Sequence, residues 1–138
     1  MPNHSKPNGP TFSDEVKEHL DKLAEDDTTT ARFWEAYDAI MALYKSLETK
    51  PSDAIKRYKP REIEQDGTEF LVFVMPNVLL LLGPMDTFCI FYRKHDARLY
   101  VHEYSNCNSI EKYEKTRTEM YLSARNIPNL NELIDQGT

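Results

Sequence analysis

The sequence predicts an α+β fold in one domain: two N-terminal helices, a four- to five-stranded antiparallel meander sheet, and one to two C-terminal helices, with the helices packed on one face of the sheet. Three observations carry this. Apolar residues recur every three to four positions from Val16 to Leu47, alternate in short runs between turn signals from Arg61 to Tyr104, and return to the helical period after Asn108.

Residues 1–11 are polar, rich in Pro, Asn, Ser and Gly, and have no periodicity able to bury a face. They read as a disordered tail before a domain over 12–138. Ser13 then offers an N-cap, Asp14 and Glu15 suit the positive end of the helix dipole, and Val16, Leu20 and Leu23 give a buried stripe to about Glu25. Thr28-Thr29-Thr30 supplies the next cap. Phe33, Tyr37, Ile40, Tyr44 and Leu47 follow at helical spacing, with Trp34 and Met41 on a flank, an apolar arc wide enough for core burial or for a protein contact. Lys50-Pro51 ends this helix, and Ser52 to Tyr58 adds one or two turns before Pro60.

Asp66-Gly67 marks a hairpin between Arg61–Gln65 and Thr68–Met75, Pro76-Asn77 a turn before Val78–Leu82, and Gly83-Pro84 the next corner. Thr87–Arg93 and Arg98–Tyr104 are two more strands joined by the link 94–97. A simple hairpin there sets Phe88, Ile90 and Tyr92 beside Leu99, Val101 and Glu103 on a core face. Cys89, Phe91 and Arg93 then share the opposite face with Arg98, Tyr100, His102 and Tyr104. After a loop over Ser105–Cys107, Asn108 and Glu111 stand at capping-box spacing before a helix carrying Ile110, Tyr113, Met120, Tyr121 and Ala124. A last short helix spans Asn129 to Asp135.

Composition narrows the function classes. In 138 residues, 40% hydrophobic and 29% charged side chains describe a chain that buries a core, and four glycines exclude a collagen-like fibre. The apolar runs Phe70 to Met75 and Val78 to Leu82 are far below the roughly 20 residues of a membrane span, and no export signal is expected before the first helix. Two cysteines fit a reducing compartment, so a cytoplasmic protein with no membrane association is expected. The net charge of −6 argues against a protein that mainly coats phosphate backbones. Residues 1–69 hold 10 basic and 15 acidic side chains against 7 and 8 in 70–138, so the acidity sits in the first half.

The face bearing Arg93, Arg98, Tyr100, His102 and Tyr104 combines guanidinium, imidazole and stacking groups able to grip a phosphate or a base, or else is an ordinary half-exposed strand surface. Cys89 faces His102 in this register. A cysteine between Phe88 and Ile90 is more often a small buried apolar residue than a nucleophile, while Cys107 falls in a loop. His4, His19, His95 and His102 show no zinc-type spacing, and no phosphate-cradling glycine loop occurs, so neither metal nor cofactor is expected. Asp14, Glu18, Asp21 and Glu25 on the first helix, with Tyr100 from the sheet, are the candidate contacts for a basic partner.

The order Pro10-Thr11-Phe12-Ser13-Asp14-Glu15-Val16, the helical span Phe33 to Lys50, then Asp86 to Arg93 and Arg98-Leu99-Tyr100-Val101 resembles the RelE/ParE toxin superfamily across about three quarters of the chain. The resemblance implies an N-terminal strand, two helices and a curled antiparallel sheet, cleavage of messenger RNA on the ribosome or poisoning of a topoisomerase, and an antitoxin partner. Arg93, Arg98, His102 and Tyr104 would be the residues carried over, whether in a ribonuclease or in an inactive relative. The chain departs from the family in being acidic and in having Ser105-Asn106-Cys107-Asn108 where many members place a His-Arg pair. The expectation placed first is therefore a small non-catalytic binding or regulatory protein of inhibitor or immunity type, acting on a partner protein. The RNA-directed toxin is second, and a homodimer is left open.

Overall fold

The computed structural model describes residues 9–136 except 78–84. Its elements run β1 (Thr11–Phe12), α1 (Asp14–Glu25), α2 (Thr30–Thr49), α3 (Pro51–Tyr58), β2 (Arg61–Gln65), β3 (Thr68–Asn77), β4 (Met85–Arg93), β5 (Arg98–Cys107), α4 (Ile110–Ala124) and α5 (Leu130–Gln136). The α+β class and the element order follow the sequence pattern. The five strands form one sheet in the order β1-β5-β4-β3-β2, antiparallel except where β1 runs parallel to β5.

The local signals explain most boundaries. The Ser13 hydroxyl accepts from the Val16 amide, and Asp66 and Gly67 both take the positive φ that a two-residue hairpin needs. Other boundaries moved. Thr11, the last residue assigned to the tail, pairs with Tyr100 in β1. Pro76-Asn77 is not a turn, because β3 continues through both residues against Thr87 and Asp86. Among the described residues β3 beyond Val72 has a neighbour on one side only, the edge position where a ladder tolerates proline. The strand expected over Val78–Leu82 lies outside the described residues. Residues 105–107 extend β5 instead of forming a loop, and Ser109, not Asn108, caps α4 by accepting from the Lys112 amide.

Helices cover both faces of the sheet, not one. On the first face Leu71, Phe73, Met75, Phe88, Ile90, Leu99 and Val101 pack against Val16, Leu20, Ile40, Leu43 and Leu47 from α1 and α2. On the second, Phe70, Val72, Val74, Cys89, Phe91 and Tyr100 pack against Met120, Tyr121, Ala124, Leu130 and Ile134 from α4 and α5. The unbroken apolar run Phe70 to Met75 presents apolar side chains on both sides of the sheet, and both sides are buried. Helical spacing alone did not settle Ile110, which is exposed at the start of α4.

The β4–β5 register begins as the simple hairpin requires, Arg93 opposite Arg98 and Phe91 opposite Tyr100. It then slips by one: Ile90 pairs with Val101 but Cys89 with Glu103, leaving His102 as an extra residue in β5. This is a β-bulge, and every side chain beyond it changes face. Tyr104 therefore faces Phe88 in the first core, and Glu103 leaves that core for the second face.

Candidate functional site

Asp14, Glu18, Asp21 and Glu25 all lie exposed on α1 and are spaced to form one stripe about 16 Å long. Glu18 meets Lys22 at 3.3 Å, a solvated pair of little energetic weight. Residues 14–49 carry ten carboxylates and four basic side chains, so the α1–α2 layer holds a charge equal to the −6 of the whole chain. In the first turns of α2, Trp34 remains 53% exposed and packs edge-on against Phe33 and Tyr37. The aromatic arc of α2 is thus divided: Ile40, Tyr44 and Leu47 serve the core while Trp34 faces outward.

The four residues Arg93, Arg98, His102 and Tyr104 do not share one surface. Arg93 is 4% exposed and tied by its guanidinium to Asp96 at 3.0 and 2.8 Å, to Asp135 at 2.7 Å and to Asn131 at 3.0 Å. Arg98 sits 3.2 Å from Asp96 and 3.9 Å from Asp135. Together they clamp the β4–β5 hairpin to α5. The hydrogen bonds that the Arg93 guanidinium donates to Asp96 raise its pKa further, despite its burial.

Tyr104, turned over by the bulge, stacks on His19 with ring centroids 3.8 Å apart. Beside them Asp86, 1% exposed, accepts from Arg32 Nη2 through both oxygens at 3.0 Å and from Asn106 Nδ2 at 3.0 Å. Burial alone would raise the Asp86 carboxyl. The bonds from Asn106 and Arg32, the Arg32 charge and the His19 imidazole 3.8 Å away outweigh it and hold the carboxyl below its ordinary value. Sequence reasoning missed this cluster, although an aspartate opening the apolar run Phe88–Phe91 is a signal that its charge must be met by a partner from elsewhere in the chain.

His102 and Tyr100 meet at the opposite edge, in a cleft of about 550 Å³ between β1, the start of α1, β5 and α5. Phe12, Tyr100 and Leu133 give it apolar walls, and Asp14, Glu15, Glu103 and His102 line it with polar groups. The Ser13 amide and hydroxyl donate to the carbonyls of Val101 and His102 at 2.9 and 2.7 Å, fixing α1 to the bulge. Burial lowers the His102 imidazole below 6.5 against the opposing charges of Glu103 and Glu15, so it is neutral at pH 7. Burial, then the charge of Asp14, raises the Tyr100 hydroxyl. Of the partner-contact candidates, the four α1 carboxylates share the exposed stripe, whereas Tyr100 is buried at the floor of this cleft next to Asp14.

The cysteines are not at this site. Cys89 faces Glu103 rather than His102, and burial pushes its thiol up to about 12, which leaves it unreactive at neutral pH. Cys107 is buried, not exposed in a loop, and takes a bond from the Thr87 hydroxyl at 3.6 Å. Among the described residues no group of three His, Cys, Asp or Glu side chains is placed to hold a metal ion, and no helix is long and apolar enough to cross a membrane. No protein-family model, curated protein or solved structure matches the chain.

Proposed function

We propose that this chain is a non-catalytic binding or regulatory protein, of inhibitor or immunity type, that docks a basic partner protein on the α1–α2 layer. The observation that carries the reading is the stripe Asp14, Glu18, Asp21 and Glu25, exposed on the layer that concentrates the negative charge. Such a surface steers a positively charged protein into encounter, and an exposed tryptophan supplies the kind of anchor that dominates interface energies. Trp34 stands in α2 just past the turn that follows Glu25. The RNA-directed alternative needs Arg93 and Arg98 at a phosphate, and both guanidinium groups are engaged with carboxylates on α5 and the hairpin link.

The test is native mass spectrometry of the protein captured from its own cells, with nuclease, beside the variant D14N/E18Q/D21N/E25Q. The expected result is a stoichiometric partner of net positive charge that survives nuclease and whose association rate falls about tenfold or more in the variant and with added salt. Trp34→Ala should speed its dissociation. A partner that binds the neutralised variant equally well overturns the reading. A companion that nuclease removes overturns it in favour of RNA.

A further inference from the structure

Two arginines meet over one buried ring on the side of the sheet away from α1 and α2. Arg61 opens β2 and stands opposite Val72, so its side chain falls on the second face, where α4 packs. Its guanidinium carbon lies 4.4 Å from the centre of the Tyr121 ring, and that of Arg117, one turn earlier on α4, lies 5.1 Å from the same centre. Among the described residues no carboxylate comes within ion-pair distance of either. The acidic residues of β2 are turned away: Glu62 and Glu64 pair with Leu71 and Glu69 on the opposite side of the sheet, and Glu62 is held by Lys94. The ring attracts each guanidinium, but the repulsion between the two is left unanswered.

The tyrosine itself is the second observation. Tyr121 is 3% exposed, and its hydroxyl is sealed from solvent with no hydrogen-bond partner among the described residues. A buried phenol normally finds an acceptor, and the guanidinium groups over this one carry donors only. The hydroxyl lacks an acceptor and the two arginines lack an anion, and a single oxyanion answers both. Two guanidinium forks match a doubly charged group, and with the phenol they make three donors for the three terminal oxygens of a phosphomonoester. The approach is basic as well. Lys56, Arg57, Lys59 and Arg61 fall within residues 54–61, which hold no carboxylate.

We propose that Arg61, Arg117 and Tyr121 form a binding site for a phosphomonoester group, the two guanidinium groups clamping its oxygens and the Tyr121 hydroxyl donating to a third. Arg61 comes from an exposed position on an edge strand, so its side chain swings off the ring as the oxyanion draws it in, and that movement uncovers the hydroxyl. The phosphate belongs to a small phosphate ester or to a phosphoserine side chain of another protein. The site shares no residue with the α1 stripe and does not depend on docking there.

The experiment is a titration of the full chain, followed by the backbone amide resonances of β2 and α4, with glycerol 3-phosphate, with the capped tripeptide acetyl-Gly-phosphoserine-Gly-amide, and with acetate as a singly charged control. Saturable shifts with glycerol 3-phosphate support a small phosphate ester as ligand, and shifts with the tripeptide alone support a protein-borne phosphoserine. Affinity should fall about tenfold in Arg61→Met and in Arg117→Met, which keep the apolar stem over the ring, and about fivefold in Tyr121→Phe. Tyr121→Phe removes a hydroxyl that bonds nothing in the free chain, so its urea midpoint should not fall below the parent's. The proposal is overturned if neither phosphate ester shifts these resonances, if acetate shifts them equally, or if the arginine variants bind as the parent does. A Tyr121→Phe variant with a lowered midpoint and unchanged binding also overturns it, because the hydroxyl then serves the fold.

Discussion

Replacing Arg93 with methionine isolates the guanidinium, because the new side chain keeps the apolar stem that packs beneath α5. Four hydrogen bonds disappear: two to Asp96, one to Asp135 and one to Asn131. Breaking a buried ion pair typically costs about 3–5 kcal/mol, and three features place Arg93 at the low end. Asp135 is 61% exposed and regains water, so its bond contributes under about 1 kcal/mol. Asp96 keeps Arg98 at 3.2 Å. Asn131 still donates to the Thr68 hydroxyl at 3.0 Å. The expected loss is about 3 kcal/mol, read in urea as a midpoint lower by about 1.5 M at an unchanged slope, or as a melting temperature lower by about 10 °C. Asp135→Asn should cost less than about 1 kcal/mol. A loss below about 1 kcal/mol for Arg93→Met with the slope preserved would refute the clamp and return the guanidinium to a role at the surface.

Two pH experiments probe the other ionised groups. The folded Asp86 carboxyl lies below its ordinary value of 3.8, so the unfolded chain binds its proton first. Stability is full above about pH 4 and lost as pH falls through the folded value. Asp86→Asn should flatten that acid limb in urea midpoints taken against pH, and an unchanged limb would remove Asp86 from the account. His102 is lowered below 6.5 by burial, so its proton is likewise held more tightly by the unfolded chain, and stability declines as pH drops below about 6.5. Glu103 and Glu15 face the imidazole and limit the effect. His102→Gln should abolish this component below about pH 6.5, and a parallel pair of curves would contradict it.

How much of this was legible in the sequence follows from the range of each signal. Helices α1, α2 and α5 and the Asp66-Gly67 hairpin are written in local spacing, caps and turn residues, and they appear within a few residues of where those signals put them. The second helical layer was not legible. Whether Phe91 and Tyr100 face water or α4 depends on contacts between residues far apart in sequence, and an aromatic residue suits either setting. Pro76 was misleading for a related reason: proline stops a central strand but not an edge, and among the described residues the pairing with β2 ends at Val72 and leaves that part of β3 an edge.

The bulge at His102 decides the site, and nothing in the residues Leu99 to Tyr104 announces it. Without it Tyr104 and Asn106 would fall on the second face, Asp86 would lose the Asn106 donor, and His19 would lose the ring it stacks on. With it, one strand serves both ends of the molecule. Tyr104 and Asn106 complete the buried Asp86 cluster under α1 and α2, while Tyr100, His102 and Glu103 form one wall of the cleft under α5. The Ser13 hydroxyl bonds the carbonyl of the bulged residue itself, so the start of α1, where the acidic stripe begins, is held in place by the same irregularity. A change that straightens β5 would therefore disturb the Asp86 cluster, the cleft and the stripe together, whereas changes at Trp34 or Glu25 leave the bulge untouched.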